Sequence, residues 1–499
     1  MPLNKSYLNP RFILCYLAFF AILISGNMSC TKPVLTNTSA ELSFSQRQVF
    51  FDTVFTTEGS TFQYFTIHNT HNQPIEISSV KLVGSYTSPF RVNLDGTPGT
   101  SFSNIRIPAN DSLFCFVTVT INPTAANLPF VIEDSLQFVT NGNTQYVDLI
   151  AYGQNAYFYK PNVFPTTGPA YSVVKCGDVW DSSKPHVVFG YLVVDSGCTL
   201  TMKPGTKVYM HNNAVLLINK GGTLKIQGGP LPLGLPVVTI QGDRLESAYS
   251  TIPGQWGEIW LSPGSLNNQI SWAVIKNGTV GVEADTVASW TNPTLEIDHT
   301  IIKSMSEFGL LGQGSYIVGN DDVFADCQYY CMNLSLGGQY AFEQCTIANY
   351  WSYGQRQTTA LNLNNWYQDV SGNIQHRDMT RAYFGNCIIY GGGFGSPNEE
   401  EFNIDSTNPG KMNYYFMNCD IATMHSTSNP YHFTIDSTLN ANPQFVNSAV
   451  DNYNIPLSSP VVGYGFDTIS NASHNSFPYD VAGNLRHSSP YDLGAYAAQ

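Results

Sequence analysis

The chain has 499 residues, of which 43% are hydrophobic and 12% charged, and its formal net charge is -14. An ordinary soluble domain is about 25% charged, so Asn, Ser, Thr, Gln and Gly must supply most of the polar surface, as in an exported all-β protein. Clustered cations that could follow a phosphate backbone are missing, which excludes nucleic acid as a partner. The length predicts two or more domains.

Lys5 and Arg11 precede an apolar run from Phe12 to Ser25. The run is short for a bilayer span, which takes about 20 residues, and fits the apolar core of a signal peptide. "GNMSC" follows, ending at Cys30, and then "TKPVLTNTS". This junction resembles a bacterial lipoprotein processing site in the looser form seen in Bacteroidota, although Asn27 stands where an aliphatic is usual. The resemblance implies a signal peptide over 1–29, a lipid such as palmitate on Cys30, a lipidated linker over 30–44, and a cell-envelope location. That location is expected to be the outer membrane, facing the periplasm or the cell surface. A plain secreted protein and a retained N-terminal anchor are the alternatives.

Residues 45–157 alternate in polarity between Asn, Gly and Pro turns, which predicts an antiparallel β-sandwich. "STFQYFTIHN" sets Phe62, Tyr64 and Thr66 against Gln63, Phe65 and Ile67. "SLFCFVTVTINP" sets Phe114, Phe116, Thr118 and Thr120 against Cys115, Val117, Val119 and Ile121, with both faces inside or partly covered. "NGN" at 141–143 predicts a tight turn. Cys115 reads as core. The stretches "FDTVFTTEGS", "FTIHNTHNQPIEISSVKL" and "DLIAYGQ" resemble bacterial choice-of-anchor or spindle-hydin modules, immunoglobulin-like in layout. That resemblance implies a spacer or interaction module.

From 158 to 499 short β runs end at Gly, Asn or Pro-Gly, and a six-residue motif recurs: apolar, any, polar, small, any, aliphatic. It reads ISWAVI from Ile270, IDHTII from Ile297, VGNDDV from Val318, FEQCTI from Phe342, FGNCII from Phe384 and FMNCDI from Phe416. A recurrence of about 20 to 30 residues predicts a solenoid, and the absence of a helical half excludes leucine-rich repeats. A parallel β-helix fits, with longer gaps as loops let out of its corners. Ala273, Thr300, Asp321, Cys345, Cys387 and Cys419 are assigned to a stacked small column beside a bend. His299, Asn320, Gln344, Asn386 and Asn418 are expected to cap the bend or face solvent. The C-terminal stretches "NPQFVNSAVDNYNIPLSSPVVGYG" and "DLGAYAAQ" resemble the closing coil of right-handed parallel β-helix proteins, pectate-lyase-like in the broad sense. Right-handedness rests on this resemblance.

Ten cysteines are present. The chain is too large to need disulfides, no spacing suggests zinc, and parallel Cβ vectors disfavour bridges along the Cys column. Those thiols are therefore expected free and buried.

The resemblance to β-helix proteins implies lyases, hydrolases, epimerases or non-catalytic adhesins. The densest chemistry is "NIQHRDMTRAY", with His376, Arg377, Asp378 and Arg381, near Arg356: weak candidates for catalysis or for contact with an anionic sugar. Trp351, Tyr353, Trp366 and Tyr367 are weak candidates for glycan or protein contact. Glu399, Glu400 and Glu401, or Asp321, Asp322 and Asp326, are weak candidates for calcium. Three functions stay open. The first is a lipid-anchored envelope protein binding glycan or protein. The second is a lyase or hydrolase acting on an acidic polysaccharide. The third is a structural or assembly component.

Overall fold

The computed structural model describes residues 34–35, 39–123, 130–287, 290–392, 400–406, 410–434, 438–466, 478–486 and 490–499. The signal-like run, Cys30 and Glu399 lie outside them. No helix among the described residues is long and apolar enough to cross a membrane. Two compact units divide the chain, one ending at Gln154 and the other beginning at Asn155.

The first unit is a sandwich of two five-stranded sheets. Ser43–Phe44, Gln63–His68, Ser112–Val119, Phe90–Leu94 and Thr97–Gly99 form one, antiparallel throughout. Gln48–Phe55, Asn143–Gln154, Phe130–Thr140, Ile75–Leu82 and Ser101–Ile107 form the other. There Gln48–Phe55 runs parallel to Asn143–Gln154, against the antiparallel expectation. These two strands are far apart in sequence, so no hairpin dictates their direction. Asn141 and Gly142, at φ 52° and 85°, make the predicted tight turn. Phe65, Cys115, Val117 and Val119 from one sheet meet Val49, Phe51, Leu136 and Phe138 from the other. Burial pushes the Cys115 thiol up to about 12, consistent with an inert core residue. Phe62, Tyr64, Thr66, Phe114 and Phe116 take the opposite face, which is partly covered: Thr66 and Phe116 are half-buried and the other three exposed.

The second unit is a parallel β-helix. Each coil contributes one short strand to each of three parallel sheets of ten, nine and nine strands. The first sheet runs from Tyr157–Tyr159 to Asp420–Ile421, the second from Tyr171–Val173 to Phe402–Asp405, and the third from Val179–Trp180 to Met412–Met417. Inward positions stack coil on coil. Along the second sheet the column is Leu216, Ile259, Val282, Leu310, Met332, Leu361 and Phe402. No single coil can bury its inner face, so each is stabilised by its neighbours.

The recurring motif marks the corner from the third sheet to the first. Its third residue takes a left-handed φ: 52° at Trp272, 47° at His299, 53° at Gln344, 52° at Asn386 and 50° at Asn418. The fourth coil corrects the alignment. Gly319 pairs with Ile297 and Phe342, so that instance is Gly319–Phe324, one residue later than the periodicity suggests. Asp321, at φ 55°, is therefore the bend residue, and Asp322 joins Ala273, Thr300 and the three cysteines in the small column. The polar Gly-Asn-Asp-Asp run offered two registers, and only strand pairing separates them. His299 is a satisfied structural residue. Its ring stacks on Trp272 at 4.1 Å and bonds Asp298 and the Tyr479 carbonyl. Burial by itself lowers the imidazole, but these bonds and the Asp321 and Asp298 charges raise it overall.

Cys115, Cys345, Cys387 and Cys419 are free and buried, as expected, and Cys327 and Cys331 are free and buried too. A disulfide does form elsewhere: Cys176 and Cys198 join consecutive coils across a Cα distance of 4.8 Å. Both sit in turns between the second and third sheets, where the Cβ directions are not held parallel by strand pairing.

The closing segment covers the outer face of the first sheet. Tyr453, Ile455, Val461, Leu493 and Ala495 pack on Val323, Ala325, Ala348 and Ile388. The bend residues fasten it. Arg486 pairs with Asp321, and Asn386 Oδ1 accepts the Phe466 amide at 2.8 Å. The stacked Asn side chains thus tie the coils to the closing segment.

Candidate functional site

A second corner column, between the first and second sheets, holds Asn277, Ser304 and Asp326, all at left-handed φ. Asn277 Nδ2 donates to the Ile252 carbonyl at 2.9 Å and fixes the loop that carries Thr251. Asn349, in the next coil, donates to the Cys327 carbonyl at 2.9 Å and accepts the Trp351 amide. The closing segment brings Ser448–Asp451 alongside. These pieces line a pocket of about 400 Å³, with Ser304, Asp326, Asp451, Tyr350, Trp351, Tyr353 and Thr251 in its walls.

The polar groups of this pocket are tightly ordered. Tyr453 Oη donates to Asp326, lying 2.7 Å from both carboxyl oxygens, and the Tyr350 amide reaches Oδ1 at 3.2 Å. Burial, then the Asp451 charge, pushes Asp326 up to about 7. Lys303 Nζ holds Asp451 Oδ2 at 2.8 Å. Lys276 lies nearby, and burial and the Lys303 charge depress its ammonium. Also in the lining, Trp351 and Tyr353 stand 5.4 Å apart at 59°, and Tyr353 Oη bonds Thr251 at 2.5 Å. Tyr353 is 48% exposed and Trp351 only 5%, so Tyr353 offers the accessible ring and Trp351 backs it.

The proton held by Asp326 fixes a pH dependence. An unfolded aspartate titrates near 4, whereas the folded one keeps its proton to about 7. The folded state therefore binds more protons across that interval, and stability falls as pH rises from about 4 to about 7. Asp326→Asn is expected to flatten that slope in urea unfolding measured at both ends of the interval.

The structure splits the four sequence-selected aromatics into two pairs. Trp366 and Tyr367 lie on a small hairpin, Trp366–Gln368 with Ile374–His376, outside this pocket. Trp366 Nε1 donates to Asp405 Oδ1 at 2.9 Å, over the outer face of the second sheet. His376, Arg377, Asp378 and Arg381 do not converge. His376 pairs across the hairpin with Trp366. The Arg377 guanidinium lies 5.6 Å from the Tyr367 ring centre, and Arg381 lies 5.1 Å from that of Tyr383. Asp378 accepts the Lys411 amide at 3.0 Å. Arg356 belongs to none of this; it is buried against Glu401. That pair also parts Glu401 from Glu400, which accepts the Met424 amide instead. Asp321, Asp322 and Asp326 likewise point to separate partners, Arg486, the Thr300 amide and Tyr453.

One cluster escaped the sequence reading. On the outer face of the second sheet Glu258, Glu283 and Asp285 gather from adjacent coils. Gln313 donates to Glu283 at 2.7 Å, and Trp260 Nε1 donates to Asp285 at 2.7 Å. Burial, then the Glu258 charge, pushes Glu283 up to about 9, and burial likewise raises Glu258 and Asp285. Beyond them an amide ladder continues along the sheet, Asn403 to Asn362 to Asn333, at 2.9 Å per step. The available signal was the outward alternation in "GEIW" and "VEAD". Its register, Trp260 opposite Glu283, depends on the length of the intervening loop.

Fold and sites together define an all-β protein in which a sandwich precedes a parallel β-helix. No family model matches the chain, and no curated protein sequence does. Among solved structures, the catalytic unit of a GH87 alpha-1,3-glucanase from Streptomyces thermodiastaticus is 10% identical, with a TM-score of 0.24, over 72% of this chain and 74% of that one. A family 123 glycoside hydrolase from Clostridium perfringens is 9% identical, with a TM-score of 0.17, and the match spans 23% of this chain and 27% of that enzyme. A PapD-like domain of human CEP192 is 11% identical, with a TM-score of 0.16, over 26% of this chain and 96% of that domain. None of these similarities carries an assignment of activity.

Proposed function

We propose that the protein is a lipid-anchored cell-envelope protein, held through Cys30, whose β-helix binds glycan. The carrying observation is the pocket that the exposed Tyr353 shares with Ser304, Asp326 and Asp451, the last held by Lys303. A sugar presents an apolar ring face and a rim of hydroxyls, and such a site offers an aromatic plane with convergent donors and acceptors. Protein ligands and an assembly role compete with this reading.

The Glu258, Glu283 and Asp285 cluster favours a second reading, hydrolysis of a polysaccharide. A carboxyl that burial keeps protonated, with further carboxyls on the same face, supplies the residue type that acid-assisted cleavage of a glycosidic bond uses. Three carboxyl groups and an amide ladder favour a neutral polymer over an acidic one.

A polysaccharide array probed with residues 31–499, with and without calcium, tests both. Retention with intact glycan is the expected result. New reducing or unsaturated ends, abolished by Glu283→Gln, would establish the second reading and overturn binding alone. Absence of both across the array would overturn the glycan reading in favour of a protein partner.

A further inference from the structure

Four aromatic side chains stand on the outer face of the first sandwich sheet. Phe62, Tyr64 and Phe114 are 62%, 52% and 46% exposed, and Phe116 is half-buried among them. Tyr64 lies across the strands from Phe116, and ring centres are 5.7 to 6.0 Å apart from Phe62 through Phe116 and Tyr64 to Phe114. Their alternate neighbours Phe65, Cys115 and Val117 already fill the core, so the sandwich does not need these rings for its own packing. Thr66, Asn93 and Thr118 border them, and Asp95 adjoins Phe114. A contiguous apolar patch with a polar rim marks an interaction surface.

The position of the patch in the chain indicates its occupant. Ser43–Phe44 pairs with the strand that carries Tyr64, and Gln46 Nε2 donates to the Tyr64 carbonyl at 2.9 Å. Leu35 already bonds the Pro74 carbonyl at 2.7 Å, so the link from Cys30 to the folded sandwich is five residues (30 to 35), at most about 18 Å. A chain anchored at Cys30 therefore keeps this face within a short tether of the bilayer, and the tether raises the effective concentration of even a weak contact. Phe and Tyr rings are suited to the lipid–water boundary.

We propose that Phe62, Tyr64, Phe114 and Phe116 form a docking face for the surface of the membrane that carries the N-terminal anchor. This rests on the anchoring part of the proposed function. The test is flotation with phosphatidylethanolamine–phosphatidylglycerol vesicles, using the full chain and residues 31–499. The shorter form retains every described residue, and thus both cores. It is expected to float with the vesicles, and replacing Phe62, Tyr64 and Phe114 by Ser should lower the bound fraction at least tenfold. The melting temperature should stay unchanged, because the rings lie outside the core. No flotation of the shorter wild type, or equal flotation of the triple variant, overturns the proposal. So does a triple variant that loses array binding while still floating, because the face then serves glycan. Flotation of the full chain alone would leave anchoring intact and sink the docking face. Flotation of residues 31–499 without any gain in the full chain would do the reverse.

Discussion

Glu401→Ala is expected to destabilise the last coils of the β-helix by about 3–5 kcal/mol, the cost of leaving a buried charge without its partner. Glu401 is fully buried and Arg356 is 1% exposed. One carboxylate oxygen meets the Arg356 guanidinium, and the other accepts the Ala360 amide at 3.0 Å. Arg356 also donates to the Asn349 carbonyl. The pair thus closes the long excursion between the strands Thr346–Asn349 and Leu361–Asn364 and joins it to the following coil. Removing Glu401 strands a guanidinium in the interior and frees an amide at a strand entrance. Because a solenoid unfolds in neighbouring blocks, hydrogen exchange is the suitable measurement. Amides of Leu361–Asn364 and Phe402–Asp405 should lose protection, while those of Thr199–Met202 keep theirs. Uniform protection in the variant would show that the pair contributes little.

Phe384→Ala is expected to cost about 3–5 kcal/mol through the cavity it opens. Phe384 is fully buried between Phe342 and Phe416, at ring distances of 5.7 and 5.0 Å, and Phe433 continues the column at 5.6 Å beyond Phe416. Rings above and below are held by their own strands, so the gap cannot close by rotation. Phe384→Leu should recover a large part of the loss, because most of the volume returns. Urea unfolding followed by the same exchange profile checks both variants. A loss below 1 kcal/mol for the Ala variant would mean that the coils can collapse around the missing ring.

The stretch around Phe384 also shows what was legible beforehand. Its motif could be read because three requirements coincide at each corner: an inward apolar residue, a bend residue at left-handed φ, and a small buried one. Asn386 and Asn418 satisfy the bend at low cost, since Asn tolerates that conformation. Where the sequence met the requirement with Asp321, register became ambiguous, and the strand pairing moved the motif by one residue. The parallel strand Gln48–Phe55 was hidden because its partner begins about ninety residues later and alternation carries no direction. The candidate pocket was half legible. Trp351 and Tyr353 stood out as aromatics on a large loop, but Asp326, Ser304 and Asp451 arrive from a corner column and the closing segment. Their meeting depends on where the C-terminal residues cross the first sheet. The Glu258, Glu283 and Asp285 cluster was hidden for a related reason: coils of unequal length bring it together.

The most direct test of glycan binding by the β-helix pocket compares residues 31–499 with the Tyr353→Ala and Asp451→Asn variants on one polysaccharide array. Tyr353 is exposed and Asp451 belongs to the closing segment rather than to a coil, so both substitutions should leave the coils folded. The proposal predicts that glycans retained by the wild type lose about tenfold in affinity with either variant, the scale of one aromatic or charge-assisted contact. Unchanged affinity in both variants would contradict the pocket as the binding site.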